Sequence, residues 1–425
     1  MDEFGICDGI LYEYRGDGDD VVIPEGVTKI GMLAFQDAYD VKRVTIPASV
    51  TEIEGGAFED CEEMTEIIID PGNPVFGAKN GMLIDKTRSA VVFCLPGKRG
   101  TVMIPEGVTE IDDGAFSGCG ELTAAVIPDG VTRLGMCAFS VCYKLRSVLI
   151  PDSVKEIGTA AFAGCPVLRA ITIPGGATEI ANSTFERCDE LKSVSLPDSV
   201  TRIGDMAFRY CSELTDITIP RGVTHIGRDA FYGCDNLKAV AIPDSVISIG
   251  VGAFKGCSAL TKITVDAKNP VYDSREDCSA IVETATNTLI SGCKGTVIPD
   301  SVTRIGRRAF AFCGGLTGIA IPDSVTEIDE EAFLGCGDLA SVRIPNGVTD
   351  IGSEAFRLCN NLASVTLPAS VTRVETGAFA GCVSLPGHTS GLTDVYFSGT
   401  EEEWNAIAID AENDPLVNAK IHFNS

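Results

Sequence analysis

Between Phe58 and Cys382 a phenylalanine followed three residues later by a cysteine recurs twelve times, and within each uninterrupted run the step is 23 residues. The cysteines are Cys61, Cys119, Cys142, Cys165, Cys188, Cys211, Cys234, Cys257, Cys313, Cys336, Cys359 and Cys382. Phe35, followed by Ala38, marks a thirteenth copy without the thiol. A fixed period of roughly 20–50 residues, repeated this often, restricts the fold to a stack of like units, each touching only its neighbours. A chain of 425 residues therefore reads as one long repeat domain and not as the two or three domains that length alone suggests.

One unit is legible in Leu214–Cys234, LTDITIPRGVTHIGRDAFYGC. Leu-x-x-Ile-x-Ile alternates like a strand, and Pro220 ends it by withholding an N–H. Val-Thr-x-Ile is a second short extended piece. Gly227 breaks it, and Arg-Asp-Ala-Phe is too short for more than about one helical turn. Leu214, Ile217, Ile219, Val223, Ile226, Ala230, Phe231 and Cys234 are then expected to face inward. Successive coils stack at a strand spacing of about 4.8 Å, so each apolar residue sits on its own copy. The expected architecture is a right-handed solenoid, mainly β with short helical turns.

In such a stack the cysteines form a buried ladder, because a small apolar thiol fills core space beside phenylalanine. Neighbouring coils do bring Cα atoms within disulfide range, but parallel inward Cβ vectors suit the required dihedral badly. No metal site, catalytic site or cofactor is expected.

The consensus Ile-Pro, Val-Thr-x-Ile-Gly and Ala-Phe-x-x-Cys resembles the leucine-rich repeat in its 23-residue BspA-like form, over nearly the whole chain. The resemblance implies a leucine-rich repeat solenoid that binds a protein or glycan without catalysis, as an adhesin at a cell surface or in secreted form. Leucine-rich repeat proteins generally bind through the face of the Leu-x-x-Ile-x-Ile strand.

The pattern breaks in four places. Residues 1–23, with GILYEYRGDGDDVVIP, read as a capping hairpin, and the repeats run from 24 to 388. Insertions near 70–100 and 266–296 begin alike, as Asn73-Pro74-Val75-Phe76 and Asn269-Pro270-Val271-Tyr272, and each continues as two strand-like runs around a polar turn. Both read as hairpins projecting from the solenoid edge. If Glu283 pairs with Thr288, the same register sets Cys278 opposite Cys293, and a cross-strand disulfide or two thiols are both open readings. Cys7, Cys94 and Cys137 also lie off the ladder. Residues 389–425 leave the repeat as a C-terminal cap, in which Thr400 and Glu403 form a capping-box pattern opening a short helix. The Asp410, Glu412 and Asp414 run lacks the glycine and terminal glutamate of a calcium loop and reads as a solvated acidic face.

Charge narrows the partners. A net charge of −27 repels phosphate backbones and anionic lipid heads, so nucleic acid is not an expected partner. No apolar run reaches the roughly 18 residues that span a bilayer. The start, MDEFGICDGILYEYRG, has acids where an export signal needs basic residues, which keeps a cytoplasmic location open. An intracellular interaction scaffold is accordingly the second reading, and an enzyme with a pocket where a hairpin meets the solenoid is the third. His225, His388 and His422 lie in no metal or nucleophile motif, and Arg15-Gly16-Asp17 is read as an ordinary turn. A monomer is expected.

Two outward rows remain. The variable positions of Val-Thr-x-Ile, among them Lys29, Glu52, Glu110, Arg133, Glu156, Arg304, Glu327, Asp350 and Arg373, form a charged stripe in which every basic residue has an acidic neighbour one coil away, and these are expected to pair between coils. The outward positions of the other strand are mostly small and uncharged. Ile68, Val126, Leu149, Thr172, Ser195 and Thr218 are the candidate partner-binding residues, with Val126 and Leu149 the apolar centre.

Overall fold

The computed structural model describes residues 3–58, 61, 63–383 and 391–424. It divides into two compact units, Met1–Val200 and Thr201–Ser425, and each is a β-solenoid of stacked coils. A coil contributes one strand to each of two parallel rows. In the first unit the long-strand row includes Gly100–Met103, Leu122–Val126 and Ser147–Leu149, and the short-strand row includes Glu110–Ile111, Arg133–Leu134 and Glu156–Ile157. In the second unit Ser341–Arg343 pairs with Ser364–Leu367, while Arg304–Ile305, Glu327–Ile328, Asp350–Ile351 and Arg373–Val374 form the short row. Partners lie 23 residues apart, as in Arg133↔Glu156, so the repeat period is the register.

The interior follows the inward residues of the consensus. Leu214, Val223, Ala230, Phe231 and Cys234 are each 0% exposed. In the first unit the phenylalanine rings stack nearly parallel, with centroids 4.7 Å apart at Phe116–Phe139 and 5.6 Å at Phe139–Phe162. In the second unit Phe310–Phe333 and Phe333–Phe356 lie at 5.0 and 5.1 Å. Burying each ring contributes roughly 1.5–3 kcal/mol.

The expected helical turn at Ala-Phe is absent. Where both positions are described, each repeat coil instead bends through left-handed backbone twice, once before Ala-Phe and once before Cys. In the coil of Phe139 these are Cys137 (φ 54°) and Val141 (φ 57°), and in the coil of Phe231 they are Asp229 (φ 52°) and Gly233 (φ 72°). Left-handed residues reverse the chain sharply enough to close a coil within 23 residues, whereas a helical turn would carry it onward. Cys137, off the thiol ladder, is one of these bend residues.

The inserted hairpins do not project from the edge; they enter the short-strand row. Ala90–Cys94 pairs antiparallel with Met82–Asp85 and parallel with Glu110–Ile111. Thr288–Ser291 likewise pairs antiparallel with Ile281–Glu283 and parallel with Arg304–Ile305. A hairpin strand docked this way satisfies backbone groups that a projecting one would leave open. The N-terminal hairpin of Phe4–Cys7 and Ile10–Tyr14 is built identically, with Ile10–Tyr14 parallel to Lys29–Ile30. The C-terminal segment also stays in the stack: Asp394–Phe397 and Lys420–Phe423 extend the long row, and Ala408–Ile409 extends the short one. Its helix Glu401–Asn405 carries the expected capping box, Thr400 with Glu403.

Candidate interaction surface and hairpin clefts

The outward positions of the long strands come together in part. Met103, Val126 and Leu149 stand side by side in register, and beside them runs a second column of Thr101, Ala124 and Ser147. These six uncharged residues form one patch, with Met103 57% and Leu149 65% exposed. Ile68 belongs to a different sheet, next to Thr45 and Val22. There the adjoining column is charged, because Arg43 pairs with Asp20 at 2.9 Å and Glu66 at 2.7 Å. Thr172 pairs with Ser195 in a two-stranded sheet, and Thr218 lies in the second unit. Sequence reasoning missed Met103 and Val22, since one follows an insertion and the other sits in the segment read as a cap. The Ile-Pro signature after each, in VMIP and VVIP, is the signal that places them.

The charged row pairs as expected at Lys29–Glu52 (2.7 Å), Arg133–Glu156 (3.4 Å) and Arg304–Glu327 (3.0 Å). Each cation also takes a second carboxylate outside the row: Glu54, Asp113 and Asp329 respectively. Arg373 departs from the expectation by reaching Asp410 at 2.9 Å, which ties that acidic run to the solenoid. Asn413 fixes the same run from inside, donating to the Glu375 and Asp410 carbonyls and accepting from Phe379 N. Solvent screens exposed pairs of this kind, so each contributes little to stability.

The cysteines are all thiols, and each ladder cysteine is buried. Burial pushes the thiols of Cys313 and Cys382 up to about 12, which leaves them protonated and poorly nucleophilic. Cys278 and Cys293 are also separate buried thiols. The hairpin register that would oppose them holds at Glu283↔Thr288 and Val282↔Leu289, then shifts to Ile281↔Ser291. This bulge takes Cys278 out of line. Its Sγ donates to Ala280 O and that of Cys293 to Ser279 O.

Each inserted hairpin opens a cleft against the preceding coil. The first has a charged compartment of about 510 Å³, lined by Glu52, Asp85, Arg88, Asp112, Asp113 and Arg133 among others. A mainly apolar compartment of about 420 Å³ adjoins it, walled by Phe58, Val92, Phe93 and Pro96 together with Glu54 and Asp113. Ile53, Gly55, Val92 and Asp113 line both. The titratable groups satisfy one another. Arg88 donates to Asp85 and Asp112, and Arg133 to Asp113. Burial raises the Asp85 carboxyl, but donors from Thr87 and Arg88 outweigh it and hold the group below its ordinary value. The second cleft, of about 390 Å³, has Tyr272, Glu283, Arg304, Arg307, Glu327 and Asp329 in its wall.

Both insertions are anchored by the asparagine of their shared opening, to which the sequence alone assigned no role. Asn73 is 2% exposed, donates to the Pro47 and Val50 carbonyls and accepts from Val75 N and Phe76 N. Asn269 repeats this with Pro243, Val246, Val271 and Tyr272. The shared Asn-Pro-Val opening is therefore a structural clamp.

Other singled-out residues do not converge. Arg15 of the Arg-Gly-Asp triplet pairs with Glu13 at 2.7 Å. His225 Nδ1 contacts Thr224 Oγ1, His422 contacts Asp394 at 2.7 Å, and His388 lies outside the described residues. Among the described residues no group of three or more His, Cys, Asp and Glu side chains is arranged to hold a metal ion, and no helix is long and apolar enough to cross a membrane.

A family model described as a BspA type leucine rich repeat region of six copies matches residues 12–78, 92–215, 178–275 and 290–393. The chain is similar to the crystal structure of a leucine-rich repeat protein from Bacteroides ovatus, with 26% identity, TM-score 0.53, and 98% of this chain and 94% of that one covered. It is also similar to a leucine rich cell surface protein from Faecalibacterium prausnitzii, with 27% identity, TM-score 0.49, and 94% and 93% covered. No curated protein matches.

Proposed function

The chain belongs to the BspA-type leucine-rich repeat family, and from that premise we propose that it is a non-catalytic binding protein whose partner docks on the face of Gly100–Met103, Leu122–Val126 and Ser147–Leu149. The observation that carries the reading is the uncharged double column centred on Val126 and Leu149, in a chain of net charge −27. Apolar residues that need no desolvation of charge make a natural interface centre, whereas the cations of the short row are already neutralised by their own neighbours. The family likeness supports an adhesive role at a cell surface, toward a protein or a glycan. An intracellular scaffold would use the same face, and the buried ladder thiols favour it, since reduced cysteines are the rule there.

The test is capture from host and bacterial surface extracts, followed by affinity measurements on variants. Leu149→Glu is expected to weaken binding at least about tenfold with the thermal midpoint nearly unchanged, because the side chain points to solvent. Reversing Arg133 and Glu156 together leaves binding intact. The opposite pattern assigns the partner to the charged row.

A further inference from the structure

The first hairpin leaves a strand edge open. In the regular stack Glu52 N donates to Thr28 O, and Glu54 N to Ile30 O, so each short strand offers its edge to the next coil. Glu52–Ile53 ends its sheet, whose order runs from the N-terminal hairpin through Lys29–Ile30 to it. The inserted hairpin begins a separate sheet. Thr51 O, Ile53 N and Ile53 O therefore make no bond to any described residue. The second hairpin treats the same position differently: Ile249 N donates to the hydroxyl of Tyr272 at 3.2 Å. Phe76 holds that place in the first hairpin, clamped by Asn73 as Tyr272 is by Asn269, and it has no hydroxyl to offer.

The geometry points to a peptide-binding cleft, separate from the strand face, in which an extended segment pairs in parallel with Glu52–Ile53. A residue set opposite Glu52 gives its N–H to Thr51 O and receives Ile53 N–H on its carbonyl, repeating how Glu52 docks on Lys29. The N–H two residues further on reaches Ile53 O, as Glu54 N reaches Ile30 O. The walls define the side chains. Five carboxylates, Glu52, Glu54, Asp85, Asp112 and Asp113, line the two compartments against three cations, Arg88 and Arg133 in the wall and Lys29 on Glu52 and Glu54, so the surplus is acidic and the residue beside Glu52 is basic. Its neighbour points the other way, as strand alternation requires, into the compartment of Phe58, Val92, Phe93 and Pro96, and is apolar. Each compartment falls within the roughly 300–1,000 Å³ range of ligand pockets. The occupant is thus an extended peptide of alternating basic and apolar residues.

The test uses the full chain and two fluorescent hexapeptides, acetylated and amidated, one alternating lysine with valine and the other glutamate with valine. The lysine peptide is expected to bind and the glutamate peptide to bind at least about tenfold more weakly. Phe76→Tyr, which places the hydroxyl that Tyr272 already uses, is expected to weaken the lysine peptide about tenfold without lowering the thermal midpoint. Leu149→Glu leaves this binding unchanged, which separates the cleft from the strand face. Unaltered affinity in Phe76→Tyr overturns the edge pairing, and equal affinity for both peptides overturns the charge assignment. Loss in Leu149→Glu, or no binding of the lysine peptide, overturns the site itself.

Discussion

The thiol of Cys165 donates to the carbonyl oxygen of Phe139, one coil earlier, at 3.1 Å. The same bond joins Cys142 to Phe116 at 3.1 Å in the first unit and Cys336 to Phe310 at 3.1 Å in the second. The ladder cysteine is therefore a donor as well as a filler. Cys165→Ala leaves a buried carbonyl unpaired and is expected to cost about 1–3 kcal/mol. Cys165→Ser keeps a donor and should cost less in urea denaturation. Equal losses would reduce the thiol to packing alone. Alkylation should label Cys165 only once the chain is unfolded.

Stability should fall at alkaline pH. Burial raises the Cys313 and Cys382 thiols from an ordinary value of 9.0 to about 12. Their contribution is fully present below about 9, where both states keep the proton. As pH rises from about 9 toward 12 the unfolded chain ionises first and stability is lost. Denaturation midpoints measured from pH 7 to 10.5 check this, and a Cys313→Ala, Cys382→Ala variant should show a shallower decline. A decline equally steep in that variant assigns the effect to other groups.

Phe333 is sandwiched between Phe310 and Phe356, whereas Phe379 has a ring partner only in Phe356 among the described residues. Phe333→Ala is expected to cost about 3–5 kcal/mol by opening a cavity inside the stack. Phe379→Ala should cost less, because fewer coils depend on it. Calorimetry that finds the two equal contradicts a one-dimensional array.

Gly335 carries φ +68°, and a Cβ there would sit 2.6 Å from Cδ1 of Phe312, a left-handed residue of the preceding coil. Gly118 has φ +72° with nothing within 4 Å of a Cβ. Gly118→Ala should cost only the left-handed penalty of about 1–2 kcal/mol. Gly335→Ala should cost more, and Phe312→Ala in the same chain should recover the excess. No recovery means the ring is not the obstacle.

Hairpin placement was the least legible part of the fold. The runs around Asp85 and Glu283 read as hairpins from their alternation, but not as members of the short row. The reason is that at each junction the backbone place of a ladder phenylalanine passes to a small residue. Cys94 N bonds Ala115 O at 2.7 Å, and Gly292 N bonds Ala309 O at 2.8 Å, as Phe116 N bonds Ala138 O. A side chain on Gly292 would enter the Phe310 ring. Cys94 and Gly292 look unremarkable alone; their size matters only once the neighbouring coil is known.

By itself the sequence determined the repeat, the inward residues and the register of the rows, because a 23-residue period forces every apolar side chain onto its own copy. It also marked Val126 and Leu149 as outward and uncharged. The tertiary structure alone decided that Met103 completes that patch, that Cys137 and Val141 occupy left-handed bends, and that Cys278 and Cys293 fall out of line. It alone left Ile53 N open where Ile249 N is bonded. Each of these depends on what the coil above or below supplies, and a residue's own chemistry cannot encode its neighbour's geometry.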